Sequence, residues 1–247
     1  MTISALIVAR NEENKIEECL SSLNFVDEIV VILDRSTDKT FKICKTFSNK
    51  IFNGKWTCEG DRRNFGIEKC SSEWIFEIDA DEIISKDLAR EVKKKIRLHK
   101  FDYFYIPLMN HIYSKPIKYG WMACLAPDGK FCVFKKKNKV WHKGLVHPSY
   151  SLKGEKGPIF ENYINHFMSK DISELLVRFN RNSSLHAIEL KKTNKNLDKY
   201  FSLRKVFSRF IKSFFLRKGY KEGKMGLLIC ILNAVYPIVS AIKSKAD

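Results

Sequence analysis

Three carboxylates follow a short apolar run in residues 74–84, which read WIFEIDADEII. The segment WIFEI (residues 74–78) is typical of a buried strand that is covered on both faces. Asp79, Asp81 and Glu82 come directly after it. Because ligands of open α/β sheets bind beyond the carboxyl ends of the strands, this stretch predicts a functional site at a sheet edge.

The residues before this stretch alternate between strand and helix patterns. Apolar runs at 3–9 and 28–33 predict two more buried strands, and residues 51–52 predict a short one. The predicted helices lie between and after the strands, at residues 12–23, 36–47, 61–70 and 85–98. A β-α-β-α order calls for a mostly parallel sheet with right-handed crossovers, so we predict a Rossmann-like α/β fold flanked by helices.

The pattern changes after residue 100. Residues 101–108 and 130–136 predict further strands, and the chain after Asn162 becomes helical and basic. We therefore expect a catalytic domain over residues 1–165, with halves 1–100 and 101–165. A basic helical C-terminal region is expected over residues 166–247.

The charge of the chain is strongly positive. It has 45 Lys and Arg against 28 Asp and Glu, a formal net charge of +17. Twelve Lys and Arg but two acids lie within residues 191–224, interleaved with phenylalanines. This excess predicts an anionic partner, which is a nucleic acid, a phosphorylated substrate or an anionic lipid; the alternative is that the charge serves solubility alone. The seven cysteines show no CxxC or Cys/His pattern, which favours free thiols in a reducing cytosol over a zinc or disulfide framework.

The pair Asp79 and Asp81 has the spacing of a metal site. Two carboxylates one residue apart on a turn can face one hard cation, and Mg²⁺ or Mn²⁺ bound in this way keeps positions open for phosphate oxygens. This Asp-x-Asp (DxD) pattern suggests a divalent metal that holds a diphosphate. The alternative is an ordinary acidic loop in which Glu82 begins the next helix.

Four segments in this order carry a family resemblance: LIVARNEENKIEECLSSL (6–23), VILDRSTDKTF (31–41), GDRRNFGIEKC (60–70) and WIFEIDADE (74–82). Together they resemble glycosyltransferase family 2, whose members are inverting enzymes with the GT-A fold. The whole chain is similar to its short bacterial members related to lipopolysaccharide-core glucosyltransferases.

The resemblance implies a nucleotide-sugar site at the ends of the first strands. By this likeness Ala9, Arg10, Asn11 and Glu12 line the base and ribose. Asp34 accepts a hydrogen bond from the base.

The resemblance also implies the diphosphate and metal contacts. Arg63 reaches the diphosphate, Asn64 braces that turn, and Asp79 contacts the ribose or a metal-bound water. Asp81 is a metal ligand, and His166 is an additional metal or phosphate contact. The structural alternatives are that Arg63 pairs with Asp61 or Glu68 and that His166 has no functional role.

The catalytic base has four candidates: Asp128, His147, Glu155 and Glu161. Asp128 lies in a Pro-Asp segment typical of the related enzymes, and His147 occupies their Val-His position. We prefer Asp128. The related enzymes often have Glu where this chain has Pro148, which leaves a catalytically degenerate transferase as an alternative.

The implied reaction moves a sugar from a nucleotide-diphosphate donor to a lipid-linked or lipopolysaccharide glycan. The resemblance favours UDP-glucose as the donor, and UDP-galactose, UDP-N-acetylhexosamines and dTDP-sugars are the alternatives. Residues 200–243 combine a cationic aromatic stretch with the uncharged run 226–242, which predicts contact with an anionic membrane surface. The alternatives for 226–242 are a buried helix and a single membrane span. We expect no signal peptide and a cytoplasmic protein that is peripheral on the inner face of the cytoplasmic membrane.

A nucleic-acid-binding protein is the competing class, because of the basic surface. No helix-turn-helix, RNP or zinc signature is recognisable, and the carboxylates would repel phosphates without a metal. We therefore expect no nucleic-acid partner.

Overall fold

The computed structural model describes residues 1–144, 148–192 and 197–246. Two compact units divide the chain. The first unit holds residues 1–108 and 129–166, and the second holds residues 109–128 and 167–247.

The strands, in chain order, are β1 (Ile3–Ala9), β2 (Glu28–Asp34), β3 (Lys50–Gly54), β4 (Trp74–Ile78), β5 (Glu82–Ile83), β6 (Tyr103–Ile112), β7 (Lys115–Ile117), β8 (Gly129–Lys135), β9 (Lys139–Trp141), β10 (Tyr150–Leu152) and β11 (Ile164–Ser169). The α-helices are α1 (Ile16–Ser21), α2 (Thr40–Cys44), α3 (Glu59–Lys69), α4 (Lys86–Ile96), α5 (Ile172–Lys192), α6 (Leu203–Ile211) and α7 (Gly223–Ala246).

The main sheet has the strand order β3-β2-β1-β4-β8-β6-β11-β5. β1 pairs in parallel with β2 and β4, and β2 pairs in parallel with β3. β8 is antiparallel to β4 and to β6. The predicted α/β class and the helical C-terminal region are confirmed. The parallel pairs come from the part of the chain where helices connect the strands.

Both faces of β1 are covered, as expected for a central parallel strand. All seven of its residues are buried. Ile3, Ala5 and Ile7 belong to one core cluster, whereas Leu6 and Val8 belong to the cluster on the opposite face. This alternation follows from the two-residue period of a strand.

Helix α3 packs closely on that second face. A Cβ atom at Gly66 would lie 2.5 Å from Leu6 Cδ1, so a larger residue would force the Leu6 side chain to shift. The close packing sets the position of the α3 side chains on either side of Gly66 relative to the strand ends.

The second unit has its own core. Helix α7 packs against α5 and α6, and the core includes Trp121, Met168, Leu175, Ile229 and Leu232. A π-helical turn, Lys212–Leu216, continues α6.

Helix α7 is the apolar run of the sequence. Among the described residues, the helical stretch Gly219–Ala246 is long and apolar enough to cross a membrane, but half of its most apolar window is buried inside the protein. Asn233, in its middle, is fully buried and donates to the Gly120 carbonyl at 2.9 Å and to Ser213 Oγ at 3.1 Å. These bonds satisfy a polar side chain within the protein, as expected for a core helix.

Candidate active site

The ends of β1, β2 and β4 meet at one edge of the sheet in the first unit, because β1 lies between the other two. Asn11 follows β1 with φ of 55°, and Arg35 follows β2 with φ of 54°. Two residues in the left-handed region at adjacent strand ends mark a backbone that its surroundings hold in place.

The turns after β1 and β2 are bonded to each other. Asn11 Oδ1 accepts from the Thr37 amide at 2.8 Å, and Thr40 Oγ1 accepts from the Glu12 amide at 2.9 Å. Of the residues predicted to line a base, Ala9 is buried in the core and Arg10 is exposed. The turn therefore presents Arg10 and the polar groups of Asn11 and Glu12 at the edge.

Asp34, at the end of β2, is a buried carboxylate with several donors. It forms a bidentate pair with Arg35, at 2.9 Å for both bonds, and accepts from the Trp56 amide at 3.3 Å. Arg62 also lies 3.3 Å from it. Burial by itself raises the pKa of Asp34, but these donors lower it overall, so the group is ionised near neutrality.

Arg62 is a residue that the sequence reasoning missed. Its side chain is largely buried beside Asp34, and its Nε is a buried donor for which the described residues supply no acceptor. A buried donor without a partner is costly, so an anionic or carbonyl group bound at this edge would be stabilised by accepting from Arg62 Nε. The adjacent arginines of the DRRN segment were the available signal.

Arg63 is enclosed by carboxylates. Its guanidinium donates to Glu59 at 2.8 Å and to Asp79 Oδ1 at 3.1 Å, and lies 3.6 Å from Glu77. The guanidinium also lies over the ring of Trp141, 5.0 Å from its centroid. The structure thus pairs Arg63 with these acids of the sheet edge and of its own helix.

Asn64 connects α3 to β9. Its side chain donates to the Trp141 carbonyl at 2.8 Å and accepts from the Trp141 amide at 2.9 Å. These two hydrogen bonds fix the backbone of Trp141, and with it the indole against which Arg63 packs.

Asp79 and Glu82 share one lysine, which the sequence reasoning also missed. Lys130, on β8, lies 3.1 Å from Asp79 Oδ2 and 2.6 Å from Glu82 Oε2. Glu82 also accepts from the Asp79 amide at 2.9 Å. Glu82 is 1% exposed and belongs to β5, paired with His166 of β11, so it does not begin the following helix. That helix, α4, begins at Lys86 with Ser85 as its cap.

The charges of this group oppose the effect of burial. Burial acts to raise the pKa of Asp79, yet Lys130 and Arg63 hold that pKa well below its usual range. Burial raises the pKa of Glu82 to about 7, against the lowering effect of Lys130. Asp79 is therefore an anion near neutrality, whereas Glu82 is poised to take up a proton.

A second buried pair lies beneath the edge. Lys139 forms a salt bridge with Glu77, and both side chains are buried. Trp141 Nε1 donates to the other oxygen of Glu77 at 2.8 Å, and the Lys139 ammonium lies 4.1 Å from the centre of the Trp141 ring. Glu77 therefore links this pair to Arg63, so the charged groups form one connected network.

Asp81 and His166 are the predicted metal ligands that the fold brings together. Asp81 Oδ2 lies 3.4 Å from His166 Nε2, because β5 and β11 pair next to the DxD turn. No group of three His, Cys, Asp or Glu side chains within the described ranges is arranged to hold one ion. A carboxylate and an imidazole suit Mg²⁺ or Mn²⁺ when phosphate oxygens and water complete the shell.

Asp81 and His166 lie beside a group of paired charges. Five carboxylates, Glu59, Glu77, Asp79, Asp81 and Glu82, belong to the network just described. Its lysine and arginine members are Arg63, Lys130 and Lys139. Arg62 also faces Glu59 and Asp79, and Glu82 is poised to take up a proton, so the fit to a divalent ion rests on the donor atoms of Asp81 and His166.

The predicted base residues are dispersed. Asp128 belongs to the second unit and is exposed, where it accepts from Arg217 at 2.6 Å. Glu155 and Glu161 are exposed residues of the first unit. The prediction for His147 falls on a residue outside the described ranges.

Comparison with known proteins gives a consistent result. The model of the family described as glycosyl transferase family 2 matches residues 4–147. An uncharacterized glycosyltransferase of Rickettsia felis is 27% identical over 241 residues, covering 94% of this chain and 85% of that protein. The lipopolysaccharide core biosynthesis glycosyltransferase LpsC of Rhizobium meliloti is 24% identical and covers 98% and 92%.

Among solved structures, TarS of S. aureus is similar over the full chain. The TM-score is 0.49 at 16% identity, with 100% of this chain and 91% of that chain covered.

Proposed function

This chain belongs to glycosyl transferase family 2, and from that premise we propose that it transfers a hexose from a nucleotide-diphosphate donor to a glycan, with inversion. It is a glycosyltransferase by this membership and by its similarity to glycosyltransferases along nearly all of its length. UDP-glucose is the donor we propose. The observation that carries the proposal is the contact of Asp81 with His166 beside the Asp79–Lys130–Arg63 ion pairs.

The donor site we propose is the edge formed by β1, β2 and β4. The base would take the place of Arg35 on Asp34, because Arg35 is the more exposed of the two arginines that contact this carboxylate. Arg62 Nε would then donate a hydrogen bond to the bound nucleotide sugar, which gives this buried nitrogen an acceptor. Arg10, Asn11 and Glu12 would line the base and ribose.

The diphosphate would lie against Arg63, Asp81 and His166. A divalent ion, Mn²⁺ or Mg²⁺, held by Asp81 and His166 would supply positive charge to the departing nucleoside diphosphate. Arg63 adds a guanidinium whose geometry suits paired phosphate oxygens. Asp79, fixed by Arg63 and Lys130, would contact the ribose or a metal-bound water.

Direct displacement requires the acceptor hydroxyl to lie behind the anomeric carbon while a base removes its proton. We propose Asp128 for that role. Its hydrogen bond from Arg217 gives the carboxylate a defined orientation. His147 is the second candidate. If activity is lost when one of Asp128 and His147 is replaced but not when the other is, the replaced residue is identified as the base.

The acceptor we propose is a lipid-linked or lipopolysaccharide-core glycan. The similarity to LpsC, a protein named for lipopolysaccharide core biosynthesis, supports this class. Such an acceptor places the enzyme in the cytoplasm, at the inner face of the cytoplasmic membrane.

A donor screen tests the proposal. The protein is incubated with UDP-, GDP-, CDP- and dTDP-sugars, Mn²⁺ and a crude lipid fraction, and the released nucleotide is measured. We expect release from a UDP-hexose that EDTA abolishes and that Asp81→Asn lowers at least about 100-fold, since one lost charge-stabilising contact costs about 3 kcal/mol. Asp87→Asn, an exposed acid on α4, is the matched control. Tight duplex-DNA binding without any nucleotide response would contradict the proposal.

A further inference from the structure

The helical segment of the second unit exposes large apolar side chains. No residue of α6 is buried, and Leu203 and Phe207 are 79% and 67% exposed. Phe215 and Leu216, in the π-helical turn, are 53% and 74% exposed. We call these four residues, two on α6 and two in the turn that continues it, the α6 face. Leu203 and Phe207 are four residues apart and therefore lie on one side of the helix.

The segment behind this face is firmly held. Arg209 donates to the Asn233 carbonyl at 3.0 Å and to Cys124 Sγ at 3.3 Å. Ser213 is fully buried and hydrogen-bonded to the Gly120 carbonyl. The α6 face is therefore exposed even though the segment that carries it is held by buried contacts.

The surroundings of the α6 face are strongly cationic. Residues 203–221 contain seven Lys and Arg and no Asp or Glu. Among the described residues, Arg217 alone of these seven pairs with a carboxylate, that of Asp128. Exposed apolar side chains in a segment whose cations, other than Arg217, have no acidic partner among the described residues complement a surface with an apolar interior and anionic headgroups.

A cleft beside α6 adds to this pattern. It has a volume of about 220 Å³, and its lining includes Lys199, Lys205 and Arg209 together with Tyr200 and Pro237. Three cations in a cleft that also has apolar lining are suited to the phosphate of a lipid headgroup.

We propose that the α6 face docks on an anionic bilayer, with α6 lying in the plane of the headgroups. The four apolar side chains enter the acyl boundary, and Arg204, Lys205, Lys212 and Lys218 contact lipid phosphates. The sequence pattern assigned membrane contact to residues 200–243 as a whole. We assign it to the 203–221 segment, since half of the most apolar window of α7 is buried inside the protein whereas no residue of α6 is buried. The docking rests on the proposed function only in bringing the enzyme to a lipid-linked acceptor.

Vesicle flotation tests the docking directly and without sugar transfer. The purified full chain is mixed with phosphatidylcholine vesicles containing 30 mol% phosphatidylglycerol, or none, in about 100 mM NaCl. We expect partition into the anionic vesicles only, weakening as salt rises. Leu203→Ser with Phe207→Ser should lower it at least about tenfold, since each loses an inserted apolar side chain. Arg204→Glu with Lys212→Glu should lower it at least about 25-fold, because each cation contributes about fivefold.

Matched controls separate docking from general stickiness. Val177→Ser removes a side chain on α5 that is as exposed as Phe207, and Lys93→Glu with Lys94→Glu makes the same charge change on exposed residues of α4. Both should bind vesicles as the unaltered protein does, and all variants should unfold at the same temperature.

Equal binding to neutral and anionic vesicles, or equal losses in the controls, would overturn the docking. So would a dimer in light scattering that Leu203→Ser with Phe207→Ser dissociates, because the α6 face would then be a contact between two copies. Nucleotide release in the donor screen is a separate readout. Vesicle binding without release contradicts the transferase proposal alone, and release without vesicle binding contradicts the docking alone.

Discussion

Replacing Lys130 with methionine is the perturbation that tests the buried ion pairs most sharply. The substitution keeps much of the length and apolar stem of the side chain but removes the ammonium that Asp79 and Glu82 share. The two carboxylates would then face each other across the DxD turn without that cation. Removing one partner of a buried ion pair leaves an uncompensated charge, which is strongly destabilising.

The expected loss of unfolding free energy follows from burial. Removing one partner of a fully buried pair costs about 3–5 kcal/mol, but exposed pairs cost less than about 1 kcal/mol. Glu82 is 1% exposed, so its contact falls in the first class, whereas Asp79 is 36% exposed and also retains Arg63. Counting mainly the Glu82 contact, we expect a loss of about 2–3 kcal/mol at pH 8.

The loss should depend on pH. The folded pKa of Glu82, raised to about 7, lies above the ordinary value of 4.5. The raised pKa of Glu82 therefore contributes stability to the folded protein that is fully present below pH 4.5 and is lost as pH rises through 7. Near pH 5 the group is protonated with or without Lys130, so the variant loses only the Asp79 contact. The difference in unfolding free energy should shrink to about 1 kcal/mol there.

Urea denaturation followed by circular dichroism, in EDTA at pH 5 and pH 8, measures both values. Lys135→Met is the control, because Lys135 lies on the same strand and its salt bridge with Asp102 is similarly exposed on the lysine side but not buried on the acid side. We expect less than about 1 kcal/mol for it at both pH values. Equal losses for the two variants, or a Lys130→Met loss independent of pH, would refute this account of the network.

Three further predictions concern packing and hydrogen bonds inside the protein. Gly66→Ala places a methyl group 2.5 Å from Leu6 Cδ1 and should cost about 1–3 kcal/mol in urea denaturation; an unchanged midpoint would contradict the packing of α3. Asn233→Leu leaves the Gly120 carbonyl without that donor and should cost about 1–3 kcal/mol, whereas stabilisation in detergent would favour a lipid-embedded α7. Asn64→Leu breaks both bonds to the Trp141 backbone and should cost about 1–3 kcal/mol in urea denaturation; an unchanged midpoint would count against that brace.

The sequence predicted the elements whose signals are local. The apolar runs at 3–9, 28–33 and 74–78 correspond to β1, β2 and β4 because central parallel strands are buried on both faces. The helices after them were overestimated in length. α1 has six residues and α2 has five, since hydrogen-bonded turns take over the flanking residues of both patterns.

The sequence also predicted part of the site, because some of its residues have local signals. Asp34, Arg63, Asp79 and Asp81 stand at strand ends or on a helix beside them, which a motif can mark. Lys130, however, lies 51 residues after Asp79 and contacts it only through the antiparallel pairing of β8 with β4. No local pattern distinguishes such a lysine from a surface lysine.

Glu82 shows how long-range pairing overrides a local preference. An acid after a turn favours a helix start, but the pairing of β5 with β11 places it beside His166 and buries it. The same pairing brings Asp81 to His166, 85 positions apart, which only the family resemblance had suggested.

The central claim is that Asp81 and His166 hold a divalent ion that binds a nucleoside diphosphate. Calorimetric titration of UDP into the protein, with Mn²⁺ and with EDTA, tests it most directly. We predict binding that needs Mn²⁺ and that both Asp81→Asn and His166→Ala weaken at least about tenfold, while Asp87→Asn binds as the unaltered protein does. UDP affinity that is equal with Mn²⁺ and with EDTA, and unchanged in Asp81→Asn, would contradict the claim.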